Sequence, residues 1–178
     1  MANKKTNTSR INLDNIGKIP PQAIDLEQAV LGALMLDGEA LSNSIEILRT
    51  ESFYLNEHQK VFSAIEDLFN NAQPVDILTV TNQLRKNGEL KKIGGPSFVS
   101  SLTERVASAA NIEAHARIIS QKYIQRELIK ISSKIITDSY DETSDVFDLL
   151  SEAEQSLYEV SEGNIRRNYD KMSSLIRN

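Results

Sequence analysis

No cysteine occurs in the 178 residues. That excludes disulfides, zinc-finger ligand sets and thiol nucleophiles, and it suits a reducing compartment. Histidine is nearly as scarce, with His58 and His115 alone. Neither stands near other histidines or a carboxylate set in sequence, so each reads as structural or solvent-facing. Glycine occurs seven times, and none of these glycines opens the G-x-x-x-x-G-K-[ST] pattern whose amides cradle phosphate. Gly94-Gly95-Pro96 reads as a turn between helices. No apolar run nears the roughly 20 residues of a membrane span, and no apolar signal core follows the basic start MANKKTNTSR. The chain therefore reads as cytoplasmic. A net charge of -5 and a pI near 5.1 argue against a surface given over to phosphate binding. Carboxylates such as Glu152 and Glu154 fall on different helix faces and read as solvated surface, not as an acid and base. No residues carry an enzyme reading.

What is present is helical periodicity. Residues 1–18 are polar and aperiodic and read as a mobile tail. Pro20 and Pro21 hold the chain extended. Asp25 is the candidate cap of a first helix, in which Leu26, Ala29, Val30, Ala33 and Leu34 recur at helical spacing. Leu31, Met35 and Leu36 fill its other faces, as in a buried helix, and Asp37-Gly38 ends it. Leu41, Ile45 and Leu48 mark a second helix. Asn56, with Gln59 three residues on, resembles a capping box for a third, whose stripe is Val61, Phe62, Ile65, Leu68 and Phe69. Asp76 caps a fourth, with Ile77, Val80, Thr81 and Leu84 inward, and Asn87-Gly88 fits its C-cap. Ser97 is the candidate cap of a short helix carrying Phe98, Val99 and Leu102.

Asn111 opens a long helical run to about Ser139. Its apolar phase slips: Ile112, Ala116, Ile119 and Tyr123 form one stripe, and Ile124, Leu128, Ile131 and Ile135 another. The slip implies a break or a change of packing partner near residue 123. After the polar segment YDETS, Val146, Leu149, Leu150, Ala153, Leu157 and Val160 predict a last helix to about Ser161. Long helix, short turn and second helix make an αα-hairpin. Charge fits an antiparallel pair. Arg117 to Lys134 holds five basic residues and one acidic, and Asp141 to Glu162 holds eight acidic and none basic. Lys122, Arg126, Lys130 and Lys134 recur every four residues and are expected beside the acidic arm, though the stripe could instead meet nucleic acid. The expected fold is all-α, a small helical globule followed by an antiparallel hairpin. Such a hairpin buries little alone, so a second copy is expected against it, through Leu149, Leu150, Ala153 and Leu157.

The segments PPQAIDLEQAVLGALMLD, FYLNEHQKVFSAI, PVDILTVTNQLRKNGELKKIGG and SAANIEAHARII occur in this order. Together they resemble the N-terminal domain of bacterial replicative DNA helicases, the DnaB family, over about residues 19–162. Phe98 supplies the aromatic that the family pattern carries after the glycine pair. The resemblance implies a globule at 19–121, a hairpin at 122–163 and a linker from 164 to 178. It implies a collar of six domains arranged as a trimer of dimers. A RecA-like ATPase, with its ATP and magnesium, would lie beyond Asn178, so this chain itself needs no cofactor. DNA would be met only through the parent hexamer. The resemblance further implies docking of the primase C-terminal domain at Phe98, Ile129 and Ile135, and a helicase loader as another partner. Met172, Leu175 and Ile176 would be the linker helix's contacts on a neighbouring motor. The alternatives are a helical nucleic-acid-binding domain using the Lys122–Lys134 stripe, or a stand-alone adaptor.

Overall fold

The computed structural model describes the backbone of residues 18–104, 106 and 111–175, with side chains as far as 162. The described residues are all-α, with no strand among them. Five helices build the globule: α1 (Ile24–Leu36), α2 (Gly38–Ser44), α3 (Asn56–Asn70), α4 (Ile77–Lys86) and α5 (Pro96–Glu104), with a 3-10 turn at Thr50–Ser52. α6 (Ile112–Ser139) begins in the globule and leaves it, and α7 (Val146–Leu175) folds back along it.

α1 is the central element. It packs against α2, α3, α5 and α6, and buries Val30, Leu31, Ala33, Leu34 and Met35. A helix this apolar is stable only when surrounded, and of its large apolar residues only the last, Leu36, is exposed. α5 approaches closely because residue 32 is glycine. A methyl there would collide with the Leu102 carbonyl oxygen and lie 2.7 Å from Val106 Cγ2. Phe53 and Phe62 meet with ring centroids 4.9 Å apart in the core.

Local chemistry sets the helix ends. The Asp37 carboxylate accepts from the Glu39 and Ala40 amides at 2.8 and 3.2 Å, ending α1 and capping α2 together. Asp76 caps α4 as expected, accepting from the Leu78 and Thr79 amides, while Thr79 Oγ1 accepts the Asp76 amide. Gly88, at φ 72°, closes α4 with amide bonds from Gly88 to Arg85 and from Glu89 to Leu84.

Other expected caps move. α1 starts at Ile24, so Asp25 lies inside its first turn. Asn56 makes no cap; α3 follows Leu55, and Gln59 Nε2 turns back to donate to the Phe53 carbonyl at 2.8 Å. α5 opens on Pro96 rather than after Ser97, because proline's fixed φ suits a first helical position. Asn111 does precede α6, without a side-chain bond. Phe69 is partly exposed.

α6 runs unbroken for 28 residues. The phase slip in its pattern is a change of partner. Ile112, Ala116 and Ile119 are buried in the globule, and Ile131 and Ile135 face α7. α7 also outruns its expected end and continues to Leu175. NIRRNYDKM holds no proline, and a single glycine at 163 costs a helix only about 1 kcal/mol. Residues 1–17 of the expected tail lie outside the described residues, as does Ile176. Met172 and Leu175 lie on α7, with side chains beyond those described.

Candidate functional site

The hairpin seam is narrow. Tyr123, Glu127, Ile131 and Ile135 of α6 line it with Leu149, Ala153, Ser156 and Val160 of α7. A cleft of about 350 Å³ lies along it. The turn is built by two aspartates. Asp141 Oδ1 accepts from the Thr143 amide and hydroxyl at 2.9 and 2.7 Å, and Asp145 Oδ1 caps α7 at the Phe147 amide, 2.8 Å away. Lys134 Nζ crosses the seam to Glu152 Oε2 at 2.7 Å. That bond holds the Glu152 carboxyl below, and the Lys134 ammonium above, their ordinary ranges.

The candidate self-association residues divide between two surfaces. Leu149 and Ala153 are half-buried in the seam. Leu150 and Leu157 are 57% and 45% exposed and lie outside the seam. At 100° per residue, Leu128, Leu150 and Leu157 fall on one flank of the seam, and Lys134 and Glu152 on the other. The hairpin thus has an apolar flank and a charged flank. A heptad-like run of leucines does not reveal which of them faces the intrachain partner.

The primase-contact candidates also separate. Ile129 is 54% exposed on the face of α6 turned away from the seam. Ile135 is half-buried in the seam, which places it against α7. Phe98 is half-buried and stacks on the His58 ring at a centroid distance of 6.1 Å. The structure does not gather the three into one patch.

The expected basic stripe is not a stripe of free cations. Lys134 takes Glu152, Lys130 lies 3.7 Å from Glu127 on its own helix, and Lys122 bonds Gln125. Arg126 turns inward. Its Nη1 donates to the Pro21 carbonyl at 2.9 Å, and its Nη2 to the Ser52 and Glu51 carbonyls at 2.8 and 3.2 Å. Its guanidinium lies 5.7 and 5.8 Å from the Tyr54 and Tyr123 ring centres. Desolvation lowers its pKa from the ordinary value, and Glu27 and Glu127 oppose that shift.

Sequence reasoning missed a buried polar pair beneath this arginine. Glu27, 1% exposed, accepts the Tyr54 amide at 2.8 Å and lies 2.7 Å from Nδ1 of His58, which is fully buried. A carboxylate only accepts, so His58 carries its proton on Nδ1. The signal was available: Glu27 precedes Val30, Leu31 and Leu34 by three, four and seven residues, on the buried face. His58 is structural, as expected. No group of three or more potential metal ligands occurs among the described residues.

Comparison with known proteins gives a single direction. Residues 19–121 match the family of DnaB-like helicase N terminal domains. The replicative DNA helicase DnaB of Rhodothermus marinus is 44% identical over 161 residues, covering 90% of this chain and 17% of that protein. Its counterpart in Geobacillus stearothermophilus is 43% identical over 145 residues, 82% of this chain and 32% of that one. The chain thus spans between about a sixth and a third of these relatives. The crystal structure of the N-terminal domain of DnaB helicase from Mycobacterium tuberculosis superimposes with a TM-score of 0.75 at 34% identity, covering 79% of this chain and 99% of that domain. A DnaB-like replicative helicase, described with its interactions with primase, shares the fold at a TM-score of 0.64 and 24% identity, over 85% of this chain and 35% of that one.

Proposed function

The chain belongs to the family of DnaB-like helicase N terminal domains, and on that premise we propose that it is a non-catalytic collar and docking domain of a replicative helicase. Its hairpin pairs with that of a second copy, and three such pairs build the six-domain collar. The collar then receives the C-terminal domain of primase, and a helicase loader, in the cytoplasm. ATP, magnesium and the grip on DNA belong to an ATPase domain that this chain does not contain.

The observation that carries the assembly half is the exposed apolar flank at Leu128, Leu150 and Leu157. Apolar area left open along two helices favours a helical partner of like shape. The docking half rests on Ile129, an outward isoleucine, and on the primase interactions described for the related helicase. The nucleic-acid reading loses two of its four cations, since Arg126 is committed to the globule and Lys134 to Glu152.

A calorimetric titration with the C-terminal domain of the same organism's primase tests this. Saturable heat is expected, and Ile129→Glu should weaken binding while leaving the circular dichroism unchanged. No saturable heat from the self-associated parent chain would overturn the docking half. Unfolding of the Ile129→Glu variant would remove Ile129 from the contact surface.

A further inference from the structure

We propose that Arg126 is a positioning residue, a joint that sets the angle at which the hairpin leaves the globule. Ile119 is the last α6 residue buried in the core. About two turns later Arg126 reaches back and joins three backbone carbonyls from two separate segments, the lead-in to α1 and the 3-10 turn before α3. A guanidinium presents five donors in a planar fork, so one side chain can span acceptors that a lysine ammonium cannot. Tyr54 from the globule and Tyr123 from α6 flank its charge.

The acceptors are themselves held in place. The Tyr54 amide is taken by Glu27, the Phe53 carbonyl by Gln59 Nε2, and Ser52 Oγ by the Arg49 amide at 3.0 Å. Residues 51–54 are therefore fixed from the core side by α1 and α3 and from the outer side by α6. Preorganised acceptors make the joint stiff, because no loop must be ordered when the arginine docks. Without it, α6 beyond Ile119 is held by half-buried side chains such as Tyr123 and Ile124, and a long helix can swing about its point of exit. The consequence for assembly rests on the collar reading: the angle fixes where the Leu150–Leu157 flank stands when a second copy arrives.

The absence of cysteine makes the test clean. Lys86→Cys on α4 and Glu142→Cys at the hairpin turn, both exposed, accept one spin label each. Pulsed electron-spin dipolar distances are read with labelled chain diluted in excess unlabelled chain, so that only intrachain pairs contribute. The parent should give one narrow distribution. Arg126→Ala should lose that narrow peak, Arg126→Lys should recover it only in part, and Lys130→Ala from the same stripe should retain it. Helical content, and the melting of the globule, should stay near the parent's in all of them. A narrow distribution at the parental distance in both arginine variants would overturn the joint. If Arg126→Ala fails to fold, Arg126→Lys alone decides: a parental peak refutes the proposal and a broadened one supports it. The reading lies within one chain, so it is independent of whether primase binds or copies pair.

Discussion

Removing the Glu27 carboxylate should be among the most damaging single changes in the globule. Glu27→Ala strands two donors, His58 Nδ1 at 2.7 Å and the Tyr54 amide at 2.8 Å. Each buried donor left unpaired costs about 1–3 kcal/mol, so the two together cost about 2–6 kcal/mol. Taking about 4 kcal/mol, at roughly 2–4 °C per kcal/mol for a chain of this size, the melting temperature should fall by about 8–16 °C. Glu27→Gln separates charge from shape. Its carbonyl can still accept the Tyr54 amide, but its NH2 then faces Nδ1. The imidazole must move its proton to Nε2, which is buried and without a partner. That exchange should cost about 1–3 kcal/mol. Urea unfolding of the three proteins measures both steps, with the order parent, Gln, Ala. Losses below about 0.5 kcal/mol for both variants, the range of ordinary surface substitutions, would refute the reasoning.

Three further outcomes follow from the same geometry. Gly32→Ala should destabilise by about 1–3 kcal/mol through overpacking against Leu102 and Val106, although alanine is the better helix former by about 1 kcal/mol; an unchanged urea midpoint would disprove the close approach. Leu157→Asp should shift sedimentation toward monomer while keeping the parent's helicity, since the side chain is outside the seam; an unchanged mass would remove Leu157 from the pairing surface. The Lys134–Glu152 bond should follow pH with both signs. Glu152 is lowered from 4.5, so its contribution is present above that value and is lost as pH falls through the lower, folded pKa. Lys134 is raised from 10.5, so its contribution is present below that value and is lost as pH rises through the higher one. In a carbon-13 titration, Lys134→Ala should return the Glu152 carboxyl toward 4.5; an unmoved titration would deny the bond.

Periodicity carried most of the fold because the core elements are amphipathic in the ordinary way. The α4 cap at Asp76 and its glycine stop were legible because the side chains that make them are local. The misplaced α3 cap has a non-local cause. Asn56 and Gln59 fit a local box, yet Gln59 is drawn to the Phe53 carbonyl, which has to be satisfied beside the core. The partners of Glu27 and Arg126 were illegible for a related reason. Each of these two side chains bonds residues 27 or more positions away, which no local pattern reveals. The candidate site was legible in part: the hairpin and its charge asymmetry could be read, but not which leucines faced out. That depends on the phase of the seam, which two helices settle only when packed.

The slip in the α6 pattern marks the place where one rigid element changes its task. Up to Ile119 the helix is core, buried in the globule like any other. Beyond Arg126 it is one arm of a pair whose seam holds few large apolar side chains and whose flank exposes Leu128, Leu150 and Leu157. A two-helix arm of that kind is a poor fold alone and a good half of an interface. Between the two lies a segment with no fully buried side chain, only half-buried ones such as Tyr123 and Ile124. An arginine bonded to backbone carbonyls suits that position. Its anchor points are neutral groups on fixed backbone, so its hold depends little on salt, while the exposed Lys134–Glu152 pair across the seam is screened. High salt should therefore loosen the closure of the arms before it loosens their attachment to the globule, and the labelled pair at residues 86 and 142 would report the second without the first.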